Sequence, residues 1–400
     1  MSSKSVAHYF PWSRVKVTGQ SVGAEADLAV VRIEPDFRYK PVCSKCGCKD
    51  GRIHQWHNRA IRDLNVATAQ VFINVNYRNV RCPRCGATRV EDLQFVQPRE
   101  RITERLARYA HGLCKVLPTS QVAQHLNLDW KTVKRVDKRF LEDRYGETNY
   151  EGLRLIGVDE IAVRKGHNYL TIVLDYESGR VVWVGEGRKA KTLKRFFAGM
   201  TKKQKSHIEA VTMDMWDPYI KAVNDNLPED VEIVFDLFHV VSAFNKVIDK
   251  VRNAEYRKAK GEHKDVLKGS KYLLLSNVVR KKKARQQLER ILELNETIST
   301  MLVLKVMLKR IWGYKYRAWA QRRLEEWCEM ARSVGYECVS KFASRLENYS
   351  YGILNHCDYP IGTSRLEGCN NKIKVIKRQA YGYHDVRYFA LKIIQAFDPT

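Results

Sequence analysis

The chain has 400 residues, of which 44% are hydrophobic, and it carries a formal net charge of +26 at pH 7. This length can hold several domain cores, and this charge indicates a polyanionic partner, with nucleic acid favoured over an anionic membrane surface. There is no apolar run of about 18 residues, and the N-terminus lacks the apolar centre of a signal peptide. The ten cysteines therefore predict metal binding in a reducing, intracellular compartment rather than disulfides.

Two cysteine pairs of the form C-x-x-C-G come first along the chain, Cys43 with Cys46 and Cys82 with Cys85. The glycine after each pair lets two thiolates turn toward one ion while backbone amides approach the sulfurs. Four such sulfurs form a closed tetrahedral zinc site, which is structural because no coordination position stays open. The alternative is four free structural cysteines.

The segment between the two pairs is longer than in a usual zinc ribbon, so a hairpin is expected to fill it. Its apolar residues alternate toward one face at Val71, Ile73, Val75 and Tyr77. The dipeptide Ala67-Thr68 occupies the turn, where glycine would be expected. Three further potential ligands are expected to be surface residues instead: Cys48, His54 and His57.

A helical pattern over Ile102–Leu117 is followed by a segment, residues 120–140, that resembles a helix-turn-helix. Ala123 is small where two helices approach, Asn127–Leu128 forms the turn, and Asp129 can cap the second helix. This second helix exposes basic residues that suit a DNA major groove, namely Lys131, Lys134, Arg135, Lys138 and Arg139. The alternative is an ordinary helical hairpin with a solvated basic face.

The central stretch, Leu153–Gly187, predicts an antiparallel meander because apolar alternation is interrupted by turns that contain glycine. Its strands are expected at Leu153–Val163, Tyr169–Asp175 and Val181–Gly185. Asp159 lies inside the first strand, where burial on both faces strongly disfavours an uncompensated carboxylate. We expect a partner such as a divalent metal; the alternative is an edge-strand carboxylate in water.

A second carboxylate stands at a strand end. The predicted strand Ala210–Met213 ends at Asp214, which can face Asp159 on a neighbouring strand in the arrangement that a divalent ion requires. Asp217 competes for this role, but it lies where a helix N-cap is expected.

A further strand, Val231–Phe235, ends at Asp236 and is followed by His239. These two residues either support the metal ligands or are plain structure, and the pattern favours neither interpretation.

From about residue 245 to residue 350 strand patterns disappear and basic helical patterns replace them. The densest basic run consists of Arg280, Lys281, Lys282 and Lys283. Aromatic residues alternate with basic ones further on, at Trp312, Tyr314, Tyr316 and Trp319. Such a surface can follow a DNA backbone and stack on distorted or unpaired bases. The alternative is a solvated helix face over an aromatic core.

The last motif covers residues 363–383 and predicts a helix with one polar face. That face carries Glu367, Asn370, Asn371 and Lys374. Glu367 is the natural third carboxylate of a metal site. DNA contacts are expected from its neighbours, which are Asn371, Lys372, Lys374, Lys377 and Arg378. The alternative is a solvated charged helix end.

The order of these motifs resembles that of ISL3-family insertion-sequence transposases, and the similarity runs from Cys43 to Phe397. Its most specific parts are DMWDPY at Asp214 and SRLEGCNNKIKVIKRQAYGY at Glu367. The resemblance implies a ribonuclease-H-like DDE core in which Asp159, Asp214 and Glu367 are the catalytic triad.

The resemblance also implies a DDE transposase that binds terminal inverted repeats and catalyses DNA strand cleavage and strand transfer. Three carboxylates can hold two Mg²⁺ or Mn²⁺ ions about 3.5–4 Å apart, because oxygen ligands favour hard cations. The expected partners are double-stranded transposon ends and target DNA, with at least a dimer on DNA, in the bacterial cytoplasm at the nucleoid. The alternatives are an inactive DNA-binding regulator and a structure-selective nuclease on the same fold.

Together these patterns predict an α+β multidomain protein with a ribonuclease-H-like mixed α/β catalytic core. The expected order is a zinc-binding β module (residues 1–98), a helix-turn-helix region (99–150), the first part of the core (151–244), a basic all-α insertion domain (245–355), and the core's C-terminal helices with the third carboxylate (356–400).

Overall fold

The computed structural model describes residues 10–164, 168–276, 281–361 and 364–399. The chain divides into two compact units, Met1–Asp143 and Arg144–Thr400. Within the described ranges, no helix is both long enough and apolar enough to cross a membrane.

A five-stranded sheet forms much of the first unit. Its strands are β1 (Val15–Val22), β2 (Leu28–Pro35), β3 (Arg52–Val66), β4 (Ala69–Arg81) and β5 (Thr88–Val90). Their order is β1-β2-β4-β3, with β5 also paired to β4. The predicted alternation along β4 is confirmed, since Val71, Ile73 and Val75 are fully buried while Tyr77 is half-buried.

The long antiparallel hairpin of β3 and β4 fills the segment between the cysteine pairs. Val66 pairs with Ala69, so the turn consists of Ala67 and Thr68 alone. Ala67 has a φ of 51°, in the left-handed region that glycine normally occupies. The turn that lacks the expected glycine therefore contains a strained alanine.

Three helices complete the first unit and form the predicted helix-turn-helix. They are α1 (Glu104–Leu113), α2 (Thr119–Leu126) and α3 (Trp130–Tyr145). Asn127 ends α2 in the left-handed conformation, and the Asp129 carboxylate accepts a 2.9 Å hydrogen bond from the Lys131 amide at the start of α3. Val133 and Val136 of α3 are buried against α1 and α2.

The second unit is built on a mixed sheet. Its strands are β6 (Leu155–Arg164), β7 (Asn168–Asp175), β8 (Val181–Glu186), β9 (Ala210–Met213) and β10 (Glu232–Phe235). The order is β10-β9-β6-β7-β8, in which β6, β7 and β8 form the predicted antiparallel meander. Because β9 and β10 run parallel to β6, the sheet has a ribonuclease-H-like arrangement.

The helices of the second unit follow the sheet strands and then fill the remainder of the chain. They are α4 (Ala190–Ala198), α5 (Lys202–Lys205), α6 (Asp217–Asn224), α7 (Leu237–Lys258), α8 (Gly261–Leu267), α9 (Lys271–Leu275), α10 (Lys282–Leu294), α11 (Glu296–Ile311), α12 (Arg317–Ser333), α13 (Glu337–Asn348), α14 (Ser350–Leu354), α15 (Ser364–Gln379) and α16 (Val386–Ala396). A short 3₁₀ turn, Asn355–Cys357, follows α14.

The predicted helical region shares its core with the sheet. Helix α7 begins directly after β10 and continues through residue 245 into the helical region. Its Phe244 ring lies 5.2 Å from the rings of both Trp327 and Phe342. All three residues belong to the same buried cluster as Ile156 of β6 and Met213 of β9. Packing therefore joins these helices to the mixed sheet.

Helices α15 and α16 cover the other face of the sheet. Successive residues of a strand point to opposite faces of the sheet. Ile161 of β6 therefore packs against α15 and α16, whereas Ile156 and Val158 belong to the first cluster, on the opposite face. Ile373 of α15 and Phe389 of α16 complete this second core. The sheet is thus enclosed on both sides, and Asp159 lies in its central strand.

Candidate active site and metal centres

The four cysteines of the two C-x-x-C pairs converge in the first unit. The Sγ atoms of Cys43 and Cys85 are 3.8 Å apart, and those of Cys46 and Cys82 are 3.4 Å apart. Sulfurs around one tetrahedral zinc ion lie about 3.8 Å apart, given Zn–S bonds of about 2.3 Å. The spacing and the soft donor set both fit a structural zinc ion.

Glycines close the two loops that present the sulfurs. Gly47 and Gly86 have φ values of 68° and 67°, and their amides donate to the carbonyl groups of Cys43 and Cys82. Burial alone would raise the pKa of the Cys43 thiol, but backbone amides of its own loop donate to the sulfur and lower the pKa to about 6. At Cys46 a hydrogen bond from the Cys48 amide would lower the pKa, but burial and hydrogen bonds with the Cys82 and Cys43 thiols raise it to about 11. The loop therefore stabilises the thiolate at Cys43 rather than at both cysteines.

The competing ligands lie outside this cluster. Within the described residues, the converging group does not include Cys48, His54 or His57. His57 is instead 2.8 Å from the Asn79 amide, and His54 is exposed. The predicted surface position is confirmed for His54, whereas Cys48 and His57 are half-buried.

A second cluster of potential ligands lies in the catalytic sheet. Asp159 of β6, Asp214 after β9 and His239 of α7 each offer a ligand atom, and these atoms lie within 4.8 Å of one another. His239 Nδ1 is 2.5 Å from Asp214 Oδ2. The structure thus brings together two of the three predicted carboxylates, and it adds the histidine for which the sequence favoured no role.

The carboxylates of this cluster repel one another. Burial and then the charge of Asp214 raise the pKa of Asp159 to about 6. Burial alone would lower the pKa of His239, but its hydrogen bond to Asp214 and the surrounding carboxylate charges raise it to about 9. Oε2 of Glu160 is buried with no hydrogen-bond partner among the described residues. Excess negative charge on hard oxygen donors is the environment that fits Mg²⁺ or Mn²⁺.

Asp236 supports this cluster indirectly. Its side chain caps α7 by accepting a 2.6 Å hydrogen bond from the Phe238 amide, and burial raises the pKa of its carboxyl group. The cap fixes the first turn of α7, from which His239 reaches Asp214. Asp236 therefore acts through the backbone and is outside the group of converging ligands.

Helix α15 reaches the cluster through Asn370. Its Nδ2 donates a 2.6 Å hydrogen bond to Oδ2 of Asp159. The helix lies close to β6 because Gly157 has no side chain; a Cβ there would be 2.9 Å from Cδ2 of Leu366. Glu367 lies one helical turn before Asn370 with an exposed side chain, outside the described group that includes Asp159.

A cavity of about 280 Å³ opens beside the two aspartates. Its walls carry three cationic side chains, those of Arg188, Lys246 and Arg345. Arg345 of α13 also donates a 2.6 Å hydrogen bond to the Met215 carbonyl, which fixes the loop after Asp214. A cavity lined by both carboxylates and cations can hold metal ions and a phosphodiester together.

The expectation that Asp217 caps the next helix is wrong. The N-cap of α6 is Trp216, and Asp217 is already the first helical residue, ahead of Pro218. The Asp217 carboxylate instead accepts a hydrogen bond from the Tyr349 hydroxyl of α13, so it has a partner outside the helix. It is outside the group that contains Asp214.

The predicted DNA-contacting residues of α3 divide into two sets. Lys131 and Arg135 are exposed, and Arg135 forms an ion pair with Glu100. Lys134, Lys138 and Arg139 are half-buried, and Arg139 forms an ion pair with Glu104, so the prediction that they are exposed is wrong for these three. The exposed pair is therefore the better placed to meet phosphate.

The basic residues of the second unit also differ in exposure. Lys281, Lys282 and Lys283 are exposed at the start of α10, whereas Arg280 lies outside the described residues. On α15 the predicted DNA-contacting residues that are exposed are Asn371, Lys372, Lys374 and Arg378. Lys377 is half-buried, 3.4 Å from the Ala162 carbonyl, and Lys372 donates to the Ala396 carbonyl.

The four aromatic residues that alternate with basic ones do not all form a base-stacking surface, and they do not all form an aromatic core. Trp312 is half-buried and stacks on His356, while Tyr314 is also half-buried. Tyr316 and Trp319 are 74% and 53% exposed. Only the last two present rings to solvent.

Sequence reasoning missed Arg188 and Arg345 as walls of the cavity. Both belong to a chain rich in arginine, and Arg345 is far along the chain from Asp214. No local pattern distinguishes them. Trp216 lies in the DMWDPY motif, and the motif alone predicts no role for it. An exposed tryptophan beside a candidate catalytic aspartate is nevertheless an unusual combination.

Three family models match the chain. An ISL3 model described as "Transposase" matches residues 156–393, and a "Helix-turn-helix domain of transposase family ISL3" matches residues 91–141. A model described as "zinc-finger of transposase IS204/IS1001/IS1096/IS1165" matches residues 40–85. The first alone spans more than half of the chain.

Two curated relatives are similar over most of their length. The chain is 37% identical to "Transposase for insertion sequence element IS1001" of Bordetella parapertussis, over 89% of this chain and 88% of that protein. It is 24% identical to "Transposase for insertion sequence element IS1557" of Mycobacterium tuberculosis, over 88% of this chain and 85% of that protein.

Proposed function

Because the chain belongs to the ISL3 family of insertion-sequence transposases, we propose that its catalytic acids are Asp159, Asp214 and Glu367. The observation that carries this proposal is the meeting of Asp159 and Asp214, from two parallel neighbouring strands, at one cavity. Glu367 is included because α15, which carries it, contacts Asp159 through Asn370. Its exposed carboxylate lies outside the described converging group, so it would have to move to reach the same ions.

The metal of this site is proposed to be Mg²⁺ or Mn²⁺, held by the three acids. Such ions, when bound, activate the attacking water or 3′-hydroxyl and stabilise the leaving oxygen in phosphodiester cleavage. The donor set supports this proposal, since its oxygens are hard ligands and since burial and the charge of Asp214 raise the pKa of Asp159.

The surrounding residues orient the reacting groups. Asn370 donates to Oδ2 of Asp159, and the Glu160 amide donates a 2.6 Å hydrogen bond to Oδ1, so both oxygens of Asp159 are oriented. His239 contacts Oδ2 of Asp214. Each carboxylate oxygen keeps a second lone pair for a metal ion. Arg188 and Lys246 on the cavity wall provide positive charge for the non-bridging oxygens of the scissile phosphate.

DNA-end recognition is proposed for the first unit. The helix-turn-helix would place the exposed side chains of α3 in the major groove at the terminal inverted repeats, and the zinc module would contact the adjacent backbone. The basic starts of α10 and the exposed face of α15 would follow the strand near the cut. Two ends react in one event, so we propose at least a dimer on DNA, in the bacterial cytoplasm at the nucleoid.

The test is cleavage of a labelled transposon end with Mg²⁺, with the cut strand mapped. We expect Asp214→Asn to lower cleavage by at least about 10³-fold while end binding is retained, because both ions lose a ligand. Asp230→Asn is the matched control, since this exposed carboxylate lies outside the converging group and outside the cavity, and its variant should cleave within a few-fold of wild type.

The same assay separates the remaining alternatives. If Asp214→Asn cuts with normal metal dependence, the assignment of the acids fails. Equal activity of Glu367→Gln and wild type would restrict the site to Asp159, Asp214 and His239. A regulator would bind ends and never cut them, and a structure-selective nuclease would cut branched DNA without preference for the inverted repeat.

A further inference from the structure

A second and larger cavity adjoins the catalytic one. Its volume is about 1050 Å³, and both cavities are lined by Arg188 and Trp216. We name it the side groove. Its charged lining consists of five cations and two carboxylates: Arg188, Lys189, Lys191, Arg195, Lys221, Glu186 and Asp217. The remaining lining includes Ala190, Pro218 and the Trp216 ring, so the groove combines apolar surface with basic side chains.

Trp216 is held with its ring exposed. It follows Asp214 by two residues, and 41% of its surface remains open to solvent. The indole N–H is 3.4 Å from the Arg188 carbonyl, and the Arg188 guanidinium lies over the rings of both Trp216 (5.7 Å) and Tyr169 (4.2 Å). A large aromatic ring fixed in this way is a preformed surface for stacking.

The lining of the side groove includes cations that are available to a ligand. Lys189 and Lys191 are exposed and form no ion pair within the described parts of the chain. They flank the start of α4, whose N-cap residue makes no side-chain capping bond. The positive end of the helix dipole adds to the lysine charges, as in many phosphate sites.

We propose that the side groove binds one unstacked nucleotide of the DNA strand next to the scissile phosphate. Its base would stack on Trp216, and its phosphate would bind Lys189 and Lys191. This inference rests on the proposed function, which places the scissile phosphate at Asp159 and Asp214. Unstacking a base opposes binding, and stacking on an exposed aromatic ring offsets that cost.

The competing stacking surface is Trp319 at the start of α12, which is 53% exposed. It lines neither the catalytic cavity nor the side groove. The position of Trp216, two residues from a candidate catalytic acid, favours the groove.

The first experiment measures cleavage of end DNA by Trp216→Ala, Trp216→Phe and Trp319→Ala. We expect Trp216→Ala to cleave about tenfold more slowly, as for the loss of one base stack, and Trp216→Phe to stay within a few-fold of wild type. Replacing the unstacked nucleotide by an abasic site should restore cleavage by Trp216→Ala, because no base then has to leave the stack. Failure of an abasic site at every position near the cut to restore activity would overturn the inference, as would a rescue seen only with Trp319→Ala.

The second experiment does not depend on catalysis. In an Asp159→Asn background, a mismatch at the unstacked position should tighten end binding, because a mispaired base is easier to extrude. Adding Trp216→Ala should abolish that preference. If wild type never cleaves but shows a mismatch preference that depends on Trp216, the proposed function is wrong and nucleotide binding in the side groove is supported. If wild type cleaves and no mismatch preference exists, the groove fails alone.

The third experiment tests the phosphate contacts. Lys189→Ala and Lys191→Ala should each reduce the slope of log affinity against log salt by about 0.7–0.9, the value for one released phosphate contact. Lys202→Ala on α5 is the matched control, because this lysine is exposed and does not line the groove. Equal slopes for all three variants and wild type would contradict the phosphate assignment.

Discussion

The described part of the molecule contains two clusters able to bind metal, and they are built in opposite ways. The zinc cluster takes four sulfurs from two short loops, each of which supplies two ligands three residues apart. The acidic cluster takes Asp159, Asp214 and His239 from two strand segments and a helix, and it opens into a cavity. The first fills every coordination position and can only hold the chain together. The second keeps oxygens and space available, which chemistry requires.

This difference predicts the largest effect at the zinc cluster. Cys82→Ala removes a ligand, and structural zinc sites contribute apparent binding energies of about 10 kcal/mol to folding. We expect the first unit to lose several kcal/mol of unfolding free energy, with a separate early transition in circular dichroism. End binding should fall far more than hydrolysis of non-specific DNA.

Cys48→Ala is the control for that variant, because Cys48 is close in sequence but outside the cluster. It should behave like wild type. An equal loss of end binding and non-specific hydrolysis in Cys82→Ala would contradict the separation of the two clusters' roles.

At the acidic cluster, removal of a ligand should change the unfolding free energy in the opposite direction, so that the protein becomes more stable. Asp159 has a folded-state pKa of about 6, above its ordinary value of 3.8, so the folded protein binds the extra proton and loses stability as pH rises through this window. At pH 7 without divalent ions, Asp159→Asn should therefore raise the unfolding free energy by about 1–3 kcal/mol while cleavage is lost.

Urea unfolding at pH 7 and pH 5 checks this sign. The gain from Asp159→Asn should shrink at pH 5, where wild-type Asp159 is largely protonated, and Mg²⁺ should reduce it at pH 7 by binding wild type alone. A variant that is less stable than wild type at pH 7 would show that the carboxylates do not repel.

Helix α15 offers a smaller perturbation of the same cluster. Gly157→Ala places a Cβ 2.9 Å from Leu366, and such overpacking costs about 1–3 kcal/mol. It should also slow cleavage, since α15 carries Asn370 and Glu367. The matched control is Gly368→Ala, whose Cβ meets nothing within 4 Å and should leave cleavage unchanged. Similar slowing in both variants would show that the approach at Gly157 is unimportant.

The smallest expected effect lies in the hairpin between the cysteine pairs. Ala67→Gly relieves the left-handed strain at φ 51° and should stabilise the first unit by about 0.5–1 kcal/mol in thermal unfolding. Thr68→Gly is its control and should not stabilise, because Thr68 does not have a positive φ. Loss of stability in Ala67→Gly would indicate that the turn is not strained.

Local patterns predicted the elements well where spacing carried the information. The alternation in β4, the meander β6–β8 and the capping residue Asp129 follow from periods of two residues and from cap chemistry, so they were confirmed. The N-cap at Asp217 was wrong because its partner, Tyr349, comes from a distant helix.

The amino-acid sequence by itself determined the zinc site, because each C-x-x-C-G loop encodes its own geometry within five residues. It also supplied Asp159, Asp214 and Glu367 as candidates through their place in family motifs. The contacts of His239 and Asn370 with the two aspartates are visible only in the folded structure, as is the exposure of Trp216 beside them. The physical reason is that these contacts join segments far apart in the chain, so their distances depend on packing of the whole sheet and its helices rather than on local spacing.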